Sequence, residues 1–293
     1  MNLVAIDGAP GSVAPDIVDR AVFEADQAAR AAGLRVRAGD TVAELRELVV
    51  VGDAVWGPHG TYAVNEMRAL ALAGGVVLGA YDTADEDRGP VGFLVGFLGW
   101  NGGLHLHSHQ TGVLPDHRGR GVGYALKLTQ RAMCLAHGVQ EVRWTFDPLV
   151  RRNTSFNLRR LGARAARFLP DFYGRMDDAL NGDDLSDRVE AVWRLTEPIP
   201  AAPEGAPVLT QAARGAVLVD QDGWPRLTTL PLQPGSHIAV PAEFGLLRQG
   251  QPRLARAWRL AVRQVLEQAY SASLRIGDVD NEGYLLEEVE DRV

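Results

Sequence analysis

Residues 113–123 read Val-Leu-Pro-Asp-His-Arg-Gly-Arg-Gly-Val-Gly and lie between two regular elements. The residues before them, 104–113, predict a β-strand, and those after them, 122–136, predict a helix. Because glycine has no Cβ, the backbone N–H groups at the three glycines can approach an anion closely. The following helix directs its unpaired N–H groups and its positive dipole end to the same place. The segment therefore predicts a site for the pyrophosphate of a nucleotide-like cofactor.

The spacing of the glycines excludes two other phosphate-binding motifs. A dinucleotide fingerprint requires Gly-x-Gly-x-x-Gly, whereas the glycines here alternate as Gly119-x-Gly121-x-Gly123. A P-loop ends in Gly-Lys-Ser or Gly-Lys-Thr, and no such triplet occurs in the chain.

The pattern Arg118-x-x-Gly121-x-Gly123, preceded by Val113-x-Pro115, resembles the signature of the GNAT superfamily of N-acetyltransferases. In that superfamily the signature binds the pyrophosphate of acetyl-CoA, so the resemblance implies acetyl-CoA or another acyl-CoA as co-substrate, without a metal. It also implies that the pantetheine arm pairs with the backbone near the end of the preceding strand. The cofactor-binding residues expected on this basis are Thr111, Val113, Arg118, Gly119, Arg120, Gly121, Val122, Gly123 and Asn153.

Composition narrows the class of protein further. The chain has 293 residues, of which 46% are hydrophobic and 23% charged, as in soluble globular proteins. A formal net charge of −7 does not suggest a nucleic-acid partner. Cys134 is the single cysteine, which excludes an internal disulfide and fits a reducing compartment. Without a signal peptide or a run long enough to span a membrane, we expect a cytoplasmic protein with no membrane partner, and a homodimer is one expected assembly.

Hydrophobic periodicity predicts the order of elements. Helices are expected at residues 15–32, 41–55, 65–73, 122–136 and 154–161, and strands at 76–81, 91–100, 104–113, 139–146 and 188–195. This order matches the GNAT fold, so the resemblance implies an α/β (α+β) domain whose mixed, mostly antiparallel central sheet is flanked by helices.

The proline-rich segment 197–207 predicts a domain boundary, because four prolines interrupt helices and central strands. We expect an N-terminal extension at 1–37, a GNAT acyltransferase domain at 38–198 and a smaller C-terminal α/β region at 199–293. In the last region, Val240-Pro241 precedes a helix (253–270) and a strand (273–279), an order that leaves open a degenerate half-GNAT repeat.

Three of the seven histidines, His105, His107 and His109, lie on one face of the strand that enters the glycine segment. Transfer of an acyl group to an amine needs a base of near-neutral pKa, because the amine must lose a proton before it attacks. His109, and next His107, are therefore the predicted base or base–water relay. Their placement is similar to that of the histidine pair in arylalkylamine N-acetyltransferases. Two alternatives stay open: a metal site, although no carboxylate or cysteine is close in sequence, and a solvated strand face.

The proton donor and the acceptor site have weaker signals. GNAT members commonly carry a tyrosine where this chain has Leu158, which puts the usual donor to the leaving thiolate in doubt. Tyr173 is the candidate in its place, with a packing aromatic as the alternative. Arg151 and Arg152 follow the strand at 139–146 and are predicted to bind a carboxylate of the substrate.

Together these residues imply an acyl-CoA-dependent N-acyltransferase that acts on the primary amine of a small molecule, an amino acid among the candidates, by direct transfer in a ternary complex. The block 144–149, Trp-Thr-Phe-Asp-Pro-Leu, resembles a GNAT subgroup with an extra C-terminal region, some of whose members are linked to N-succinylation of amino acids by succinyl-CoA. A non-catalytic acyl-CoA-binding or regulatory module and a protein N-acetyltransferase are the alternatives.

Overall fold

The computed structural model describes residues 13–58, 60–174, 184–201, 215–229 and 231–289. The chain forms two compact units: Met1–Trp144 with Arg194–Glu197, and Thr145–Trp193 with Pro198–Val293. Residues 1–12 of the expected N-terminal extension and residues 202–207 of the proline-rich segment lie outside the described residues. The domain boundaries drawn from the sequence stay a prediction.

In its described residues, the first unit contains four α-helices and the first five strands. The helices are α1 (Pro15–Ala31), α2 (Val42–Trp56), α3 (Val64–Leu72) and α4 (Val122–Ala136). The strands are β1 (Leu34–Ala38), β2 (Val76–Asp82), β3 (Pro90–Gly99), β4 (His105–Val113) and β5 (Glu141–Phe146), of which the last two residues belong to the second unit. The predicted helices and strands are confirmed here, but the sequence analysis missed β1, a short strand whose Leu-Arg-Val-Arg-Ala alternation leaves only one residue fully buried.

Strand order in the first unit is β1-β2-β3-β4-β5, antiparallel from β1 to β4 and parallel between β4 and β5. The β3–β4 register shifts within the hairpin: Val95 pairs with Gln110 but Gly96 pairs with Ser108. His109 is therefore the extra residue of a β-bulge, a feature that bends a strand and re-aims its side chains. The expected mixed and mostly antiparallel sheet is confirmed.

Helices cover both faces of this sheet. A cluster of buried residues from α2, α3, β2 and β3 forms the core on one face: Leu45, Leu48, Val51, Met67, Val77, Phe93 and Val95. Helix α4 contacts β2, β3 and β4, and α1 packs along α4. The buried guanidinium of Arg131 fastens this layer, since its Nε donates to the Leu195 carbonyl oxygen at 2.8 Å and its Nη1 to Glu24 at 2.5 Å.

The second unit holds α5 (Arg151–Ser155), α6 (Phe244–Gly250) and α7 (Pro252–Ser271). Strands β6 (Arg164–Leu169) and β7 (Arg188–Arg194) pair antiparallel, in the order β5-β7-β6. A separate five-stranded sheet has the order β11-β12-β10-β8-β9, built from β8 (Gly215–Val219), β9 (Pro225–Leu227), β10 (His237–Ala239), β11 (Leu274–Val279) and β12 (Gly283–Glu288). The smaller C-terminal α/β region is thus confirmed as a second sheet with helices, while its origin as a half-repeat stays a prediction.

Two expectations for the second unit need correction. The helix predicted over 154–161 begins earlier, as α5, and continues as a π-helical turn, Phe156–Arg160, in which the Leu161 N–H donates to the Phe156 carbonyl at 3.0 Å. Strand β6 was not predicted, because its arginines mask the alternation of apolar residues.

Candidate active site

The glycine segment forms an exposed loop between β4 and α4. Gly119 and Gly121 have φ values of +77° and +85°, in the left-handed region that favours glycine. Gly121 is the N-cap of α4, no side chain caps the helix, and the Ala125 N–H makes the first helical bond to the Gly121 carbonyl at 2.9 Å. A Cβ added to Gly119 or Gly123 would meet no heavy atom within 4 Å. The backbone here is therefore open on its outer side, and its donor set fits an anionic diphosphate.

The arginines of this loop differ in their contacts. The Arg118 Nε donates to the Val113 carbonyl at 3.2 Å, which ties the loop back to the end of β4. Arg118 and Arg120 are both exposed, so their charges are available at the loop surface.

The imidazoles of His107 and His109 lie together on β4. Their ring centroids are 5.8 Å apart, and the Phe97 ring of β3 is 5.1 Å from the former and 5.9 Å from the latter. The predicted shared face is confirmed for these two residues. His105 is buried instead, with its Nδ1 2.8 Å from the Gly103 carbonyl oxygen, and does not join the pair.

His109 borders a cavity of about 250 Å³. Its other lining residues come from β4, from the segment that joins α2 to α3 and from the first turn of α3: Gly60, Thr61, Tyr62, Glu66 and Gln110. The Gln110 side chain fixes this segment to β4, since its Nε2 donates to the Gly60 carbonyl at 2.9 Å and its Oε1 accepts from the Thr61 hydroxyl at 2.8 Å. The cavity therefore has a preformed wall beside an imidazole.

Loss of solvation lowers the pKa of His109. The ring has an exposed edge, but the Tyr62 ring lies 5.4 Å away on one side and the Phe97 ring 5.9 Å away on another. Removing water disfavours the charged imidazolium. His109 is therefore neutral near pH 7 and able to accept a proton.

Strands β4 and β5 separate immediately after His107. They pair only at Leu106–Val142 and His107–Arg143, so Ser108 and Trp144 are the first residues beyond the last pair. We call this point the β4–β5 fork. The side chain of Lys127 lies there: its Nζ donates to the Ser108 hydroxyl oxygen at 2.8 Å and stands 3.9 Å from the centre of the Trp144 ring.

The remaining predicted site residues belong to the second unit. The Tyr173 hydroxyl is 3.0 Å from the Thr145 hydroxyl, and its ring lies beside the Arg188 guanidinium at 5.4 Å. The Arg151 guanidinium donates to the Asn281 carbonyl oxygen, while Arg152 and Asn153 are exposed. The Asn153 N–H donates to the Val150 carbonyl at 2.8 Å, within the first turn of α5.

Sequence reasoning missed Glu66, Tyr62, Gln110 and Lys127. The first two carry no local motif, and they reach His109 only through the tertiary fold. Lys127 had a signal that went unused, because it stands between Leu126 and Leu128 in an apolar helix as the only lysine of the chain.

Among the described residues, no group of three or more histidine, cysteine, aspartate or glutamate side chains is placed to hold a metal ion. Cys134 is buried, and burial raises the pKa of its thiol to about 12, as in a core residue rather than a nucleophile. None of the described helices combines the length and apolar composition needed to cross a membrane.

Several solved structures resemble part of the chain. Naa50 of Arabidopsis thaliana, solved with a CoA-peptide bisubstrate analogue, is 16% identical with a TM-score of 0.43 over 55% of this chain and 97% of its own. The ribosomal-protein-S18-alanine N-acetyltransferase of Escherichia coli is 14% identical, with a TM-score of 0.43, and the match covers 60% of this chain and 99% of that enzyme. YncA of Salmonella typhimurium, a putative acetyltransferase solved with acetyl-CoA, is 16% identical, with a TM-score of 0.42, and the match covers 59% of this chain and 99% of YncA.

No curated protein matches the chain significantly. The family described as the acetyltransferase (GNAT) family matches residues 43–162, which span α2 to the π-helical turn and include the histidine pair and the glycine loop. The match to the acetyltransferase (GNAT) family accordingly covers residues 43–162, less than half of the 293-residue chain.

Proposed function

We propose that this protein is an N-acyltransferase that transfers the acyl group of acetyl-CoA or succinyl-CoA to the primary amine of a small molecule. One observation carries the proposal. The strand that leads into the glycine loop also presents His109, with a lowered pKa, to a cavity with a fixed polar wall. The family match over residues 43–162 supports acyl-CoA as the donor.

His109 is the proposed base, and His107 its neighbour in a relay. Neutral His109 takes a proton from the substrate ammonium, directly or through water, and the free amine attacks the thioester carbonyl carbon. The new C–N bond forms as the C–S bond breaks, and the CoA sulfur leaves as a thiolate that then takes up a proton. Exposed backbone N–H groups of residues 119–123 are the proposed holders of the CoA diphosphate.

The cavity beside His109 is the proposed acceptor site. Glu66 contributes a carboxylate to its lining, and this charge attracts a substrate that arrives as an ammonium ion. The exposed carboxylate oxygen Oε2 also accepts the Ala63 N–H at 2.8 Å, which fixes its position at the start of α3. Arg151 and Arg152 remain proposed ligands for a substrate carboxylate, which an amino acid would supply.

Tyr173 is the proposed proton donor to the leaving thiolate. Its hydroxyl lies 3.0 Å from the Thr145 hydroxyl on β5, and either oxygen can donate. Leu158, which occupies the position of the usual tyrosine, is buried and has no proton to give.

Calorimetric titration with CoA, acetyl-CoA and succinyl-CoA tests the donor. We expect binding of at least one acyl-CoA and its loss in Gly121→Trp, because tryptophan disfavours the φ of +85° and its Cβ would lie 3.2 Å from the Ala32 Cβ, which displaces the loop backbone. Binding that survives this substitution would refute the assignment of the glycine loop.

Release of CoA in the presence of an amine panel then tests catalysis. His109→Ala is expected to abolish turnover and to retain acyl-CoA binding, while His137→Ala, a surface change at the end of α4, leaves both unchanged. A wild-type protein that binds acyl-CoA but turns over no amine, peptide amines included, would instead be a binding module. Turnover of peptide amines alone would identify a protein N-acetyltransferase.

A further inference from the structure

Lys127 is the only lysine in the chain and is 4% exposed. None of the described carboxylates lies within ion-pair distance of its Nζ. Lysines are rarely buried without such a partner, because the ammonium loses its hydration. Burial accordingly lowers the pKa of Lys127 to about 7. A position in α4 that only needed to fill space would be served by leucine or methionine.

The ammonium contacts both arms of the β4–β5 fork. Ser108, on β4, accepts its hydrogen bond at 2.8 Å, and the ring of Trp144, on β5, faces it at 3.9 Å. A cation over an indole face is attracted by the ring quadrupole. One side chain of α4 thus holds the first residue of each strand beyond their last pair.

Gln130 forms hydrogen bonds with both Lys127 and Ser108. The Gln130 Nε2 donates to the same Ser108 oxygen at 3.1 Å, and its Oε1 accepts from the Lys127 Nζ at 3.4 Å. Ser108 therefore receives two buried hydrogen bonds, and the next residue along β4 is His109, the extra residue of the bulge. The position of Ser108 fixes where the bulge begins.

We propose that Lys127 is a positioning residue: by bonding Ser108 and stacking on Trp144 it fixes the β4–β5 fork and thereby the bulge that presents His109. This inference rests on the proposed function for its catalytic consequence, but the positional claim concerns the free protein and is tested there separately. Misplacement of a catalytic group by about 1 Å costs roughly 100-fold in rate, so a remote anchor of this kind has a measurable effect.

The test compares Lys127→Met, Ser108→Ala and their double variant with wild type. Thr129→Val is the matched control, because Thr129 is equally buried in α4 but bonds only its own helix, at the Ala125 carbonyl. In the free protein we expect both single variants to change the NMR signals of His109, assigned with His109→Ala. Thr129→Val should leave the His109 signals as they are in wild type. In turnover assays kcat falls roughly 10- to 100-fold, while KM for the acyl-CoA changes less than about threefold.

Lys127 and Ser108 act through one shared hydrogen bond. The fall in kcat of the double variant should therefore be no larger than that of the more impaired single variant. Unchanged His109 NMR signals in Lys127→Met, or additive losses of kcat in the double variant, would overturn the proposal. If Lys127→Met does not fold, Ser108→Ala alone decides by the same NMR signals. If the wild-type protein neither binds nor turns over any acyl-CoA, the proposed function is refuted. The NMR comparison of the free proteins then still tests whether Lys127 fixes the position of His109.

Discussion

Two residues of the first unit show how surroundings set the chemistry of a side chain. His109 has its cavity edge in water and its faces against aromatic rings, so its charged form is disfavoured. The charged and titratable groups that face it are Glu66 from α3, Tyr62 from the preceding segment and His107 on β4. Lys127, in contrast, is buried with no described carboxylate within ion-pair distance, and its Nζ contacts a hydroxyl, an amide and an indole face.

The lowered pKa of His109 predicts the pH dependence of the rate. A base must be neutral, so kcat/KM for the amine should rise with pH through a midpoint below 6.5, the ordinary value for histidine. The measurement is a pH profile of CoA release between pH 5 and 8 at subsaturating amine. A profile identical in wild type and His109→Gln, at whatever residual rate, would assign the midpoint to another group.

Lys127 predicts a pH-dependent stability difference. Its pKa is about 7 in the folded protein against 10.5 unfolded, so the unfolded chain binds more protons between these values. The folded state therefore loses stability as pH falls from 10.5 to 7, by about 5 kcal/mol in total for that shift, and no further below it. Methionine has no charge to bury, so the free energy of unfolding of Lys127→Met at pH 7 should be higher than that of the wild type.

Urea unfolding of wild type and Lys127→Met at pH 7, 8, 9 and 10 measures this difference. The advantage of the variant should shrink steadily toward pH 10, because all other titrating groups are shared. A difference that does not vary with pH would mean that the ammonium is solvated in the folded protein.

At the scale of elements, the glycine loop and α4 were the best-predicted part of the chain. Helix α4 covers the predicted residues, and the capping box at Thr41 and Glu44 starts α2 with the Glu44 N–H donating to the Thr41 hydroxyl at 3.2 Å. Such signals are local, since caps, glycines and helical periodicity act within a few residues. The bulge at His109 and the end of β4–β5 pairing gave no signal, because they depend on the register of a partner strand.

Two glycines of the loop should respond differently to alanine. Gly121 has φ +85° and a Cβ there would lie 3.2 Å from the Ala32 Cβ, so Gly121→Ala should cost about 1–2 kcal/mol of stability and weaken acyl-CoA binding. Gly123 has neither constraint, so Gly123→Ala should keep or slightly raise the stability while its methyl group still obstructs the diphosphate. Thermal melts and calorimetry on both variants check this, and normal binding in both would remove the loop from the site.

The hydrogen bonds of Gln110 hold the segment that joins α2 to α3 against β4, and we expect this segment to shape the amine site. Gln110→Ala removes two hydrogen bonds to this segment and should cost about 1–3 kcal/mol. KM for the amine should rise while the acyl-CoA affinity stays unchanged, because only the cavity wall loosens. Gln140→Ala, at the opposite end of the neighbouring strand, serves as the comparison in the same assays; an equal rise in KM there would point to a general loss of stability.

At the scale of the whole molecule, each unit has its own stabilising interior. The second unit is built around charges: Arg259 is 1% exposed and bonds both carboxylate oxygens of Asp147 at 2.7 Å and Asp184 at 2.8 Å. Burial opposes the ionisation of Asp147, but the Arg259 guanidinium outweighs it and holds the pKa of that carboxyl below its usual range. These partners are distant in sequence, so no local sequence pattern predicts that they pair.

Arg259→Met should therefore destabilise the second unit by about 3 kcal/mol, since it leaves Asp147 and Asp184 only the more distant Arg188 at 4.0 Å and Arg248 at 3.8 Å. The stability that Asp147 contributes is present above pH 3.8 and is lost as pH falls through its lowered pKa, so the deficit of the variant should narrow in acid. Urea midpoints at pH 7 and pH 3 measure this, with the exposed Arg256→Met as the control. An equal deficit at both pH values would contradict the proposed charge pairing.

The sequence by itself determined the fold class, the glycine loop and the candidate histidines, because glycine conformations, helix caps and alternation are encoded in neighbouring residues. Only the tertiary structure decided the surroundings of those histidines. It placed Glu66 and Tyr62 beside His109, buried Lys127 under the β4–β5 fork and set His109 in a bulge. Solvation and charge act through space, so the chemistry of a site depends on contacts between segments that sequence spacing does not specify.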